Sequence, residues 1–262
     1  MEVEVLERAN EKLKLHIKDV TPGTMAILRR VILSEIPTMA IEWVDFIKND
    51  SIMPDEVLAN RLGQIPLTFD PKAYKLPEEC KCEGKDFCPE CQVKLYLKKT
   101  GPCVVYSGDL KSTDETVKPV YNNIPIIELM KGEELEFEAI AQLGRGKDHA
   151  KWQAGILAFY NVAKIHLKKG ISQTNMKKLA EVCPKGVFKI RDGHLHVDKT
   201  KCNLCNVCAE KFPNLVTIEP SEDEFIATIE TTSGIPVEEL IPRALDEINK
   251  KLTTLKDDIK RL

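Results

Sequence analysis

Alternation of apolar and polar positions marks the start of the chain: Leu13, Leu15 and Ile17 interleave with Lys12, Lys14, His16 and Lys18, the two-residue period of a half-buried strand. Helical spacing then takes over. Thr21 precedes Pro22, a residue suited to a first helical turn, and Met25, Leu28 and Ile32 recur on one face until Pro37 ends the pattern. A further β segment is expected from Thr38 to about Lys48. From Pro54 to Ile65 the spacing predicts a short helix, with Asp55 and Glu56 at its dipole-positive end and Val57, Leu58, Leu62 and Ile65 as its stripe.

Between Pro71 and Pro89 the pattern fades into Lys, Glu, Pro and Cys, so this loop must be held by something other than an apolar core. Strand alternation returns at Val93, Leu95 and Leu97 and at Leu135, Phe137, Ala139 and Ala141, the latter with Glu134, Glu136 and Glu138 opposite. Ile156 to Leu167 reads as another strand, residues 168 to about 220 as a compact cysteine-containing unit, and Phe225, Ala227 and Ile229 as a strand. The tail carries the clearest period. Ile241, Leu245, Ile248, Leu252, Leu255, Ile259 and Leu262 form an a/d heptad seam, suited to packing along another helix or to lying on the chain's own sheet.

Composition narrows the classes. The chain has 262 residues, 43% hydrophobic and 30% charged, enough for two or three cored units and too apolar for a disordered chain. With 38 basic and 41 acidic residues the formal charge is −3, which provides no global field for a polyanion, so no major direct DNA contact is expected and only local contacts fit. No apolar run reaches ~18 residues and no signal-peptide pattern opens the chain, so a cytoplasmic protein without membrane contact is expected. Nine cysteines then point to metal or cluster ligation before a secreted-type disulfide framework.

Cys202, Cys205 and Cys208 form C-x2-C-x2-C, which lets three thiolates converge from one tight loop on an iron–sulfur cube. In the two-cluster ferredoxin run a fourth Cys-Pro follows; here that place is Phe212-Pro213, while Cys183-Pro184 stands upstream without a triplet of its own. One 4Fe-4S cluster on Cys183, Cys202, Cys205 and Cys208 accounts for both irregularities, and a zinc ion on the same thiolates is the alternative. Arg191-Asp192-Gly193 between two short apolar runs predicts a β-hairpin between the ligands, with His194 and His196 as exposed strand residues. The second set, Cys80-x-Cys82-x5-Cys88-x2-Cys91, is spaced like a zinc knuckle; two disulfides or free thiols are its alternatives, and Cys103 is expected to be a small core residue. Gly144-Arg145-Gly146-Lys147 fails the Walker spacing and reads as a turn, and no catalytic fingerprint is present.

The stretches Met25–Ile41, Asp55–Leu67 and Gly144–Trp152, in that order and followed by a ferredoxin-like insert, resemble the α-like assembly subunits of DNA-directed RNA polymerase, in particular the archaeal type. The resemblance covers nearly the whole chain. It implies an α+β fold with a dimerisation domain built from both chain ends (1–42 and 222–262), an inserted β-rich domain (43–167) and an inserted ferredoxin-like domain (168–221). It also implies a non-catalytic scaffold that pairs with the small subunit L and contacts the large catalytic and small assembly subunits. The partner interface would then use Met25, Leu28, Arg29 and Ile32 of the first helix and Ile241, Leu245, Ile248, Leu252, Leu255 and Ile259 of the last. A ferredoxin-type electron-transfer subunit of an oxidoreductase is the rival reading; it rests on the cluster motif alone and leaves the terminal seam without a role.

Overall fold

The computed structural model describes residues 2–82, 88–168 and 170–261. Along the chain run β1 (Glu2–Arg8), β2 (Lys12–Lys18), α1 (Pro22–Ser34), β3 (Thr38–Asn49), α2 (Asp55–Gly63), β4 (Gln92–Thr100), β5 (Cys103–Tyr106), β6 (Lys111–Ser112), β7 (Pro125–Leu129), β8 (Glu134–Gly144) and β9 (Gly155–Leu167). There follow α3 (Gln173–Val182), β10 (Phe188–Arg191), β11 (His194–Val197), α4 (Val207–Lys211), β12 (Val216–Thr231) and α5 (Val237–Arg261), completing an α+β architecture. Two compact units divide the chain: Met1–Ile27 with Leu157–Ile229, and Leu28–Ile156 with Glu230–Leu262.

In the first unit a four-stranded sheet has the order β1-β2-β12-β9. Leu13, Leu15 and Ile17 of β2 turn inward as their alternation predicts, and β1 is an exposed edge strand whose Glu2, Glu4 and Glu7 discourage pairing with a foreign strand. His16 is also buried, because Glu224 lies 3.2 Å from its Nε2 and Glu4 3.6 Å from its Nδ1, giving the ring polar partners away from water. Leu179, Val187, Phe188 and Val216 belong to a separate, small core around α3, β10, β11 and α4. The apolar pattern does not announce α3: Leu179 is its one buried residue, and the helix starts from Ser172, whose hydroxyl accepts the Asn175 amide at 3.4 Å. β12 begins at Val216, well before the strand predicted around Phe225, because Pro220 hides its first half from pattern reading.

The second unit is built on the sheet β3-β8-β4-β6, with β5 and β7 as a separate pair. β8 buries Leu135, Phe137, Ala139, Ala141 and Leu143 and turns its glutamates outward, and β4 matches it with Val93, Leu95 and Leu97. Leu58 and Leu62 of α2 complete this larger core. β8 ends at Gly144 and a turn follows at Gly146, Lys147 and Asp148, in keeping with the failed phosphate-loop spacing. Both glycines are required by close approach: a Cβ on Gly144 would meet the Trp152 ring at 2.3 Å, and one on Gly146 the Leu33 carbonyl oxygen at 2.2 Å.

Candidate metal centres and partner surface

Cys80, Cys82, Cys88 and Cys91 converge although little apolar core supports their loop. Cys80 follows a single 3-10 turn and Cys91 immediately precedes β4. A tight knuckle closes the second pair, with the Cys91 and Gln92 amides donating to the Cys88 carbonyl at 3.1 and 2.8 Å. All four sulfurs lie within 4.8 Å of one another, with Cys80 to Cys88 at 3.8 Å and Cys82 to Cys91 at 3.6 Å. Tetrahedral zinc with Zn–S bonds of ~2.3 Å has sulfur–sulfur edges of roughly 3.8 Å, so the donor set fits one such ion. The cysteines are unbridged here, their closest sulfur pairs standing well beyond the ~2.05 Å of a disulfide. Backbone and side-chain hydrogen bonds from Cys82 lower the Cys80 thiol to about 7, while burial pushes the Cys91 thiol up.

The second set is organised differently. Cys183 caps α3, Cys202 ends a 3-10 turn, Cys205 lies on the loop and Cys208 sits in α4. All four line one small pocket, with Ile165, Val187, Phe188 and Ile218 among its walls. Leu204 and Asn206 both adopt positive φ, at 60° and 57°. For a residue with a Cβ this left-handed twist costs roughly 1–2 kcal/mol, and here it winds the loop so that Cys202, Cys205 and Cys208 come round to the same cavity. Backbone amides point at the sulfurs: Val187 donates to Cys183 Sγ at 3.5 Å. Burial raises the Cys202 and Cys208 thiols, opposed by backbone hydrogen bonds from Leu204 and Ala209. Among the described residues only the first set gathers its donors inside 4.8 Å. A cubane puts each thiolate on a different iron and spaces them more widely than one ion does, so a lined cavity with amide donors fits the polynuclear group.

The terminal helix α5 buries Val237, Leu240, Ala244 and Glu247, a face turned by roughly a quarter of a revolution from the heptad residues at ~3.6 residues per turn. Ile241 and Ile248 are half-buried, whereas Leu245 is 45%, Leu252 58%, Leu255 56% and Ile259 61% exposed. Leu262 lies outside the described residues. The seam therefore does not supply the helix's contact with its own chain. On α1 the expectation needs correction: Met25 and Ile32 are fully buried and Leu28 nearly so, which makes them core residues, while Ile27, Arg29, Arg30 and Leu33 hold the surface.

Sequence reasoning also passed over Arg145. Its Nη1 donates to the Glu35 carbonyl at 2.6 Å and to Glu247 Oε2 at 3.0 Å, tying the end of α1 to the middle of α5. Burial raises the Glu247 carboxyl, but hydrogen bonds from Lys250 and Arg145 outweigh it and hold the group below the usual carboxylate range. An arginine between two close-approach glycines was the available signal.

The RNA polymerase Rpb3/RpoA insert domain matches residues 44–159. DNA-directed RNA polymerase subunit Rpo3 of Methanosphaera stadtmanae is 38% identical over 263 residues, covering 96% of each chain. The subunit of that name from Pyrococcus furiosus is 36% identical across 100% of this chain and 98% of its own, and that from Methanosarcina mazei is 36% identical across 97% of both. Such similarity over nearly the full length settles the family: the chain belongs to the archaeal Rpo3 family of DNA-directed RNA polymerase subunits.

Proposed function

We propose that the chain is a non-catalytic assembly subunit of DNA-directed RNA polymerase in the cytoplasm, and that it pairs with the small subunit L before the large catalytic and small assembly subunits join. The observation that carries this reading is the α5 seam, whose Leu252, Leu255 and Ile259 are each more than half exposed while a different face of the helix is buried. An apolar stripe of this regularity is suited to a partner helix. Both chain ends (1–42 and 222–262) then serve dimerisation, 43–167 is the inserted β-rich domain and 168–221 the ferredoxin-like one. Cys183, Cys202, Cys205 and Cys208 hold one 4Fe-4S cluster, which when bound crosslinks segments that share only a small core. Cys80, Cys82, Cys88 and Cys91 hold zinc.

Replacing Leu252 and Leu255 together by Asp tests the pairing. Two carboxylates in an apolar interface oppose burial by several kcal/mol, roughly, so coexpressed subunit L should no longer copurify and polymerase assembly should stop. The iron–sulfur absorption should stay. Assembly into active polymerase at the wild-type level would show that the seam is not the interface.

A further inference from the structure

Charge is distributed unevenly along the chain. Residues 168–220 carry ten Lys and Arg against five Asp and Glu, a formal +5 within a total of −3. The hairpin of β10 and β11 carries two of these cations, Lys189 and Arg191. Phe188 stands opposite Val197 and Ile190 opposite Leu195, with Phe188, Leu195 and Val197 packed in or against the small core. The alternate positions, Lys189 opposite His196 and Arg191 opposite His194, therefore share the outer face, and all four are exposed. Lys201 lies beside them: its ammonium, with Arg191, holds the Lys189 pKa below the ordinary lysine value. Asp198 is already engaged by Lys201 at 3.4 Å and by the Thr200 hydroxyl at 2.6 Å. Asp192 occupies the tight turn at φ 51°.

The larger sheet treats its cations in the opposite way. Lys98 faces Glu136 across the strands and bonds it at 2.7 Å, Lys94 reaches Glu138 at 3.2 Å, and Lys48 reaches Glu134 at 2.8 Å. Across the β10–β11 ribbon the residues opposite Lys189 and Arg191 are histidines, so no cross-strand carboxylate matches either cation. Among the described residues Lys189 and Arg191 form no ion pair, whereas the larger sheet matches Lys48, Lys94 and Lys98 with glutamate.

We propose that the outer face of the β10–β11 hairpin, with Lys201 beside it, is a sequence-independent contact for the phosphate backbone of a nucleic-acid duplex. A duplex is favoured over an acidic protein segment because the relatives are subunits of a DNA-directed polymerase. Single strands are disfavoured because the hairpin's one large aromatic residue, Phe188, is buried, which leaves the outer face without a Phe, Tyr or Trp for stacking bases. Cations at alternate strand positions, ~7 Å apart, meet a repeating phosphate charge without reading bases. The inference rests on membership of the family and not on the α5 seam.

Fluorescence anisotropy of a labelled duplex of arbitrary sequence, titrated with the full anaerobically purified chain, tests this. With about four phosphate contacts, affinity should fall roughly a hundredfold between ~50 and ~200 mM salt. Lys189→Gln with Arg191→Gln should weaken binding about tenfold and flatten the salt slope by about two, with iron content unchanged. Lys94→Gln with Lys98→Gln, on the acid-matched sheet, should leave binding as it is. If the hairpin pair lowers iron content, Lys189→Gln alone decides by the same criterion, with about half the slope change. The proposal is overturned if the wild type does not bind the duplex at low salt, if the hairpin variant binds as the wild type does, or if the control loses as much. Tighter binding of a poly-glutamate peptide than of the duplex would also overturn it, assigning the face to an acidic protein instead.

Discussion

In the loop from Cys80 to Cys91 four sulfurs gather within 4.8 Å with little apolar core behind them, whereas Cys183, Cys202, Cys205 and Cys208 stand around a walled cavity inside a small core of their own. The first set obtains its geometry from hydrogen-bonded turns of the knuckle, the second from a loop forced into two left-handed residues. On the proposed assignments one residue type serves two coordination problems. A single ion needs donors close together, while a cubane needs donors spread around a volume with amides to stabilise the charge on sulfur. How far each region depends on its metal should differ accordingly, since the first loop borders the large core of the second unit and the other centre lies within the small core it organises.

The largest effect is expected from Cys205→Ser. It should remove the broad visible absorption and most of the iron, and hydrogen exchange across residues 168–220 should quicken roughly a hundredfold, about 3 kcal/mol, while zinc content stays constant. Full iron retention would show that the ligand set is wrong. Cys88→Ser should release zinc and loosen the loop, yet lower the stability of the second unit by only about 1–3 kcal/mol, because the sheet core remains. An equally large loss in both variants, read by denaturant titration, would erase the distinction between the two centres. The smallest effect concerns the wound loop. Asn206→Ala should cost about 1 kcal/mol of stability and Asn206→Gly close to nothing, since only the former adds a penalty at positive φ. Equal behaviour of the two, measured on the iron-loaded chain, would mean that the left-handed turn does not position the thiolates.

Elements whose side chains segregate cleanly were legible in the sequence. β2 and β8 announce themselves because apolar and polar side chains alternate along them, α5 because its apolar residues recur at heptad spacing even though that stripe is left exposed, and both cysteine sets were legible because ligand spacing survives in the order of residues. α3 was not legible, since its one buried residue cannot generate a period and its start depends on the Ser172 cap. Nor was the early start of β12, interrupted by Pro220. Met25, Leu28 and Ile32 show a different limit: a helical stripe declares that it is covered, but periodicity does not say whether its own chain or another covers it, and here its own chain does. Arg145 was missed because its partners Glu35 and Glu247 lie about a hundred residues away on either side, beyond the reach of local pattern.

Every residue of α5 from Asn249 to Arg261 is exposed, and the apolar members of that stretch lie on one line. A copy made in excess of its partner would carry that line uncovered. On the pairing proposed above, solubility is tied to supply: orphan copies would be prone to self-association and to removal by quality control, and the cell would gain from producing the partner in step. A helix that favours assembly in this way would also set a stoichiometry, because unpaired chains would be the ones that fail to accumulate.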